Sequence, residues 1–178
     1  SGKSSELCLI ARDGAQLAVE EVNSRGGIAG RQVELVVLDI ENSPEKAIEG
    51  VNLLSDAGVK GIIGPSTSEM AKAATPAASN RKTVLISPTA SSLELAGRDD
   101  YFFRVYPTSA SNARSLADYA ATVANNRRVA ILANLANRAF VEPWQDAFTK
   151  RFKELGGEVT TTLSFNSKDR DSSLLEFA

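Results

Sequence analysis

Apolar residues recur at helical spacing in some segments and at alternate or consecutive positions in others, and the two kinds of segment take turns along the chain. In "ARDGAQLAVEEVNS" (11–24), Ala11, Ala15, Ala18, Val19 and Val22 fall on one stripe, which predicts a helix. "RGGIAG" stops it, with Gly26 or Gly27 free to take the left-handed conformation common beyond a helix end. "QVELVVLDI" (32–40) has the branched apolar content of a strand. Ser43 followed by Pro44 starts a helix over 44–57, with Ala47, Val51 and Leu54 inward.

"VKGIIG" (59–64) predicts a short buried strand, and 68–79 a helix with Met70, Ala74, Ala77 and Ala78 inside, kinked or divided at Pro76. "TVLIS" (83–87) and "YFFRVY" (101–106) predict two more strands. Past Pro107, a helix is expected over 108–124 with Leu116, Tyr119, Ala120 and Val123 inward, then a strand at 128–133. The clearest amphipathic helix, 141–155, carries Val141, Trp144, Phe148, Phe152 and Leu155, and a strand at 158–165 follows it. One more helix begins at 170.

Strands separated by helices predict an α/β fold: a Rossmann-like parallel sheet with helices on both faces. Ligands of such sheets bind at the carboxyl ends of the strands, which singles out the loops 64–68, 87–92 and 133–140. The first helix has no strand before it and the last pattern stops at "LLEFA". An incomplete sheet is therefore expected, with an open edge able to drive dimerisation.

Composition narrows the chemistry. The 178 residues are 43% hydrophobic and 24% charged, with a net charge of −2. That balance fits a packed core and offers no basic footprint for nucleic acid. The chain has no histidine and one cysteine, Cys8. Histidine-based nucleophile pairs, HExxH zinc sites and internal disulfides are excluded, and no cofactor or enzymatic activity is expected. Cys8, between Leu7 and Leu9, is expected as a small apolar residue at least half buried.

In "IIGPSTSEM" the strand ends at Gly64-Pro65, and Ser66, Thr67 and Ser68 lie at the start of the next helix. Unpaired amides and the helix dipole favour an anion there, and a hydroxyl adds a donor. A plain N-cap explains the same residues. "SPTASS" (87–92) repeats the arrangement with Thr89 and Ser91, and capping again accounts for either one alone. Two hydroxyl-rich loops at one sheet edge are more telling than one. Together they offer neutral hydrogen bonds to a carboxylate, which hold a ligand without a buried ion pair. In 133–140, Phe140 is placed to pack on a ligand from the far side, whereas Trp144 belongs to the core and Arg138 to solvent.

The helix ending "NSRGGIAG", the strand ending "LDIENSP", the turn "IIGPSTS", the loop "LISPTASS" and the later "YFFRVYPT" and "RRVAILA" occur in an order that resembles the type I periplasmic binding proteins, above all the branched-chain amino-acid receptors of ABC transporters. The resemblance spans essentially the whole chain and rests on order and spacing, not on any one motif. It implies two Rossmann-like lobes closing like a hinge, with 1–107 most of the first lobe and 108–178 the start of the second. It implies that Ser68, with Thr67 and Ser66 beside it, Thr89 and Ser91 hold the carboxylate and amine of an amino acid, and that Phe140 caps it from the second lobe. An aromatic wall position falls near Leu7, where this chain is aliphatic. The acid that often pairs with the ligand ammonium lies beyond residue 178. Implied partners are a small carboxylate ligand and a membrane permease, with export to the periplasm or cell exterior, free or lipid-anchored. A ligand-sensing domain of a signalling protein has the same lobes and stands as the alternative.

Overall fold

The computed structural model describes residues 5–167, with side chains from Cys8 onward. The helix expected from 170 and the side chain of Leu7 lie outside the described residues. Helix α1 spans Ser5–Ser24, longer at its start than the apolar stripe indicated. Its stop is a complete Schellman turn: Gly27 N–H bonds Val22 O, Gly26 N–H bonds Asn23 O, and both glycines have positive φ. A Cβ on Gly27 would sit 2.0 Å from Arg31 O, so only glycine fits there. Helix α2, Pro44–Asp56, has Ser43 accepting Lys46 N–H and Pro44 in its first turn, as the sequence predicts.

Strand β1 (Ile62–Ile63), helix α3 (Ser68–Asn80), strand β2 (Leu85–Ser87) and strand β3 (Phe102–Arg104) follow. The three strands form a parallel sheet in the order β1-β2-β3. Register places Ile62, Leu85 and Phe102 side by side on one face. They pack against Ala47 and Val51 of α2 and Met70, Ala71, Ala74 and Ala78 of α3. On the other face Ile63, Ile86 and Phe103 stay exposed among the described residues. Helix α3 runs through Pro76 undivided.

Helix α4 (Ser109–Asp118) continues into a π-helical turn, Tyr119–Val123. Strand β4 (Arg128–Asn134), helix α5 (Arg138–Glu154) and strand β5 (Glu158–Phe165) complete the described fold, with β4 and β5 parallel in a second sheet. Its core joins Ala113, Ala117, Ala120 and Ala121 to Phe148 and Phe152 of α5.

Three expectations are corrected. Residues 32–40 form no strand: no described strand lies beside them, and a strand exists only through a partner's hydrogen bonds. The segment is held instead by Asn23, whose side chain bonds both the N–H and the C=O of Val33, and by Ile40, which joins the first core. In 108–124 the inward residues are alanines, whereas Leu116, Tyr119 and Val123 point outward. The large rings of α5 occupy the space between the helices, and only small side chains on α4 fit against them. Cys8 is exposed, as are Leu9 and Ile10 beside it, because the first turns of α1 are not covered by any described element.

Candidate ligand site at the strand ends

The carboxyl ends of β1 and β2 lead into the two hydroxyl-rich loops, and the loops are fastened to each other. Ser68, the first residue of α3, does not cap its own helix. Its Oγ accepts the backbone N–H groups of Ser91 and Ser92 at 3.0 and 3.1 Å. Thr89 donates its hydroxyl to Ser66 O, and Ser87 donates to Pro65 O while accepting Ala90 N–H at 3.0 Å. The turn between them includes a cis Gly64–Pro65 peptide. Three side chains, through four hydrogen bonds, thus tie residues 65–68 to 87–92. Ser68 Oγ meets the Ser91 amide, and both residues are buried, so neither side chain is open to solvent.

Thr67 is the N-cap of α3 by position, yet its side chain makes no capping bond. Its Oγ1 is buried and has no hydrogen-bond partner. Ser66 and Thr89 are half-buried beside it. Ser91 O receives the N–H of Ser109 at 2.6 Å, which brings the start of α4 onto the same loop, and Ser109 Oγ is a second buried hydroxyl without a partner.

Two charged residues that the sequence did not mark sit at the rim. Arg104, at the end of β3, donates to Ser92 O at 2.7 Å. Burial draws its guanidinium below the ordinary arginine range, though an arginine keeps its charge at any physiological pH. Lys72 reaches Glu94 at 2.5 Å, and that hydrogen bond raises the ammonium above its ordinary value against the opposing effect of burial. Both partners are nearly half exposed, so the pair adds little to stability.

From the second sheet, β4 leads through a 3-10 turn, Leu135–Asn137, into α5. Phe140 lies half-buried in the first turn of α5. Asn137 Oδ1 accepts Glu69 N–H at 3.2 Å, and Glu69 Oε2 accepts Ala139 N–H at 3.3 Å, so the start of α5 lies against the start of α3. All three expected loops therefore converge on one region. Trp144 belongs to the core of the second sheet and Arg138 pairs with Glu142. Among the described residues no cluster of His, Cys, Asp or Glu is placed to hold a metal ion, and no helix is long and apolar enough to cross a membrane.

The strand-end loops of two parallel sheets thus lie together, those of the first sheet rich in neutral hydroxyls. The chain belongs to the periplasmic binding protein family, whose model matches residues 1–178. It is 27% identical over 165 residues to Leu/Ile/Val-binding protein homolog 3 of Brucella melitensis, covering 92% of this chain and 44% of that protein. Its fold is similar to the branched-chain amino acid transporter substrate-binding protein LivJ of Streptococcus pneumoniae in complex with isoleucine, with a TM-score of 0.88 and 28% identity over 98% of this chain and 49% of that one. It is also similar to the leucine-binding protein LivK of Thermotoga maritima, with a TM-score of 0.84, 26% identity, and 96% and 48% coverage. The chain spans about half the length of the curated relatives it matches. These relatives are binding proteins.

Proposed function

We propose that this chain supplies the carboxylate-holding wall of a solute-binding protein that works outside the cytoplasm. The protein captures an amino acid or similar small carboxylate between two lobes, 1–107 and a second beginning at 108, and delivers it to an ABC permease. The observation that carries this reading is Thr67 Oγ1, a buried donor with no acceptor at the N-terminus of a thirteen-residue helix. A ligand carboxylate would accept from it and be favoured by the positive end of the α3 dipole. Thr89 and the backbone of the 87–92 loop offer further groups to the ligand's carboxylate and ammonium. Ser68 and Ser91 hold that loop in place, and Phe140 covers the ligand from the second lobe. Neutral donors suit a carrier, since release then breaks no buried ion pair. The outer edge of β1, unpaired among the described residues, is the place where a further strand or a second copy would add.

Titration calorimetry of the full-length protein against a panel of amino and small carboxylic acids tests the reading. Saturable binding of a branched aliphatic amino acid is the expected result, and absence of heat with every member of the panel refutes it. A sharper check is Thr67→Val. Removing a buried hydroxyl that bonds nothing should leave the stability of the ligand-free protein unchanged or raise it by up to ~1 kcal/mol. The same change should weaken ligand binding about tenfold, the loss of one charge-assisted hydrogen bond. A variant that is destabilised but binds normally would make Thr67 a structural residue only.

A further inference from the structure

The first turns of α3 and α5 satisfy each other's backbone rather than their own. Thr67 and Asn137 hold the N-cap positions, and neither side chain bonds its own helix. The amide of Glu69, second residue of α3, goes to Asn137 Oδ1. The amide of Ala139, second residue of α5, goes to the carboxylate of Glu69. Those are the amides that a helix's own N-cap ordinarily serves. The partners are 68 and 70 residues apart in sequence and belong to the two different sheets.

We propose that Glu69 and Asn137 form an exchanged-cap latch that holds the ligand-binding lobes shut. They are positioning residues: they set the closed arrangement in which the start of α5, which carries Phe140, lies against the start of α3. The inference rests on the two-lobed reading above. When the lobes part, both amides and both acceptors lose their partners together, so the two bonds favour one closed geometry and resist intermediate ones. The carboxylate of Glu69 also sits at the positive end of the α5 dipole, which adds attraction across the gap. Closure therefore has a contribution from the protein itself, separate from the contacts the ligand makes, and that contribution acts mainly on ligand release.

The test uses the full-length protein in a Cys8→Ser background, with spin labels on Glu49→Cys of α2 and Lys153→Cys of α5, both exposed positions. Inter-label distances are measured with and without the best ligand of the amino-acid panel, and ligand release is followed by stopped flow. In the double variant Glu69→Ala/Asn137→Ala, the distance distribution should broaden to longer values and the off-rate should rise about tenfold. Glu69→Gln and Asn137→Asp, which keep an acceptor oxygen, should stay near the parent in both measurements. If Glu69 only supports its own helix through the dipole, Glu69→Gln will lose melting temperature as Glu69→Ala does while the distances do not move, and the latch is overturned. Unchanged distances and off-rate in the double variant overturn it as well. If no panel member binds, the solute-capture reading fails, but the ligand-free distances still decide the latch.

Discussion

Ser68→Ala is expected to cost the protein about 2–5 kcal/mol, far more than removal of a serine hydroxyl usually does. Two buried N–H groups, those of Ser91 and Ser92, depend on the single Oγ of Ser68. Each amide left without an acceptor costs about 1–3 kcal/mol, and the space vacated by one oxygen is too small to admit a water in its place. The damage spreads because the loop that loses its anchor carries other contacts. Ser91 O receives the amide that opens α4, and Ser92 O receives Arg104. The 87–92 loop should loosen and ligand affinity should fall with it. Urea unfolding measures the first effect and calorimetry the second. Ser115→Ala provides the comparison: that hydroxyl only bonds back to Ser111 O on an exposed helix face, so a change within about 0.5 kcal/mol is expected. A Ser68→Ala cost below about 1 kcal/mol would mean that the two loops are not fastened through this oxygen.

The contrast between Ser68 and Ser43 shows where the sequence was readable. Both are hydroxyls at a helix start. Ser43 caps its own helix, and the Pro44 that follows marks it, because the whole device lies within four residues. Ser68 serves amides 23 and 24 residues away, and nothing in the local pattern distinguishes the two uses. The glycine stop after α1 and the strands β1, β2 and β3 are legible for the same local reason, through left-handed glycines and short branched runs bounded by turns, and their parallel pairing follows from the helices and connections between them. Segment 32–40 was not, since its apolar content describes a strand's surfaces while the strand itself needs a neighbour. Over 108–124, helical periodicity points to the largest residues, Leu116, Tyr119 and Val123, which are exposed. Where a partner helix brings phenyl rings, the buried stripe is the alanines. Glu69 and Asn137 carried no signal, as their exchange depends on how two sheets are set against each other. The convergence of the three loops, by contrast, followed from a general property of parallel sheets and needed no contact to be foreseen.

Phe152→Ala is expected to destabilise the second sheet by about 3–5 kcal/mol. The ring is fully buried and stacks on Phe148 at 5.4 Å, which in turn stacks on Trp144 at 5.1 Å. Its other neighbours include Ala113 and Ala117 of α4, already too small to move into the hole, so the cavity should remain largely open and its full cost should be felt. Gly157 makes the claim testable in both directions. A methyl placed there would lie 2.4 Å from the Phe152 ring, and the ring is enclosed, so Gly157→Ala alone should cost about 1–3 kcal/mol by overpacking. In the Phe152→Ala background the clash is gone and the same methyl enters the cavity. The double variant should then be no less stable than Phe152→Ala, giving a coupling about as large as the cost of Gly157→Ala by itself. Urea midpoints of the four proteins close the cycle, and additive costs would show that the ring does not fill the space beneath Gly157. Because Asn137 is the N-cap of α5 and Phe140 lies in its first turn, one turn before the stack begins at Trp144, Phe152→Ala should also raise the ligand off-rate, whereas Gly157→Ala in that background should leave it no faster.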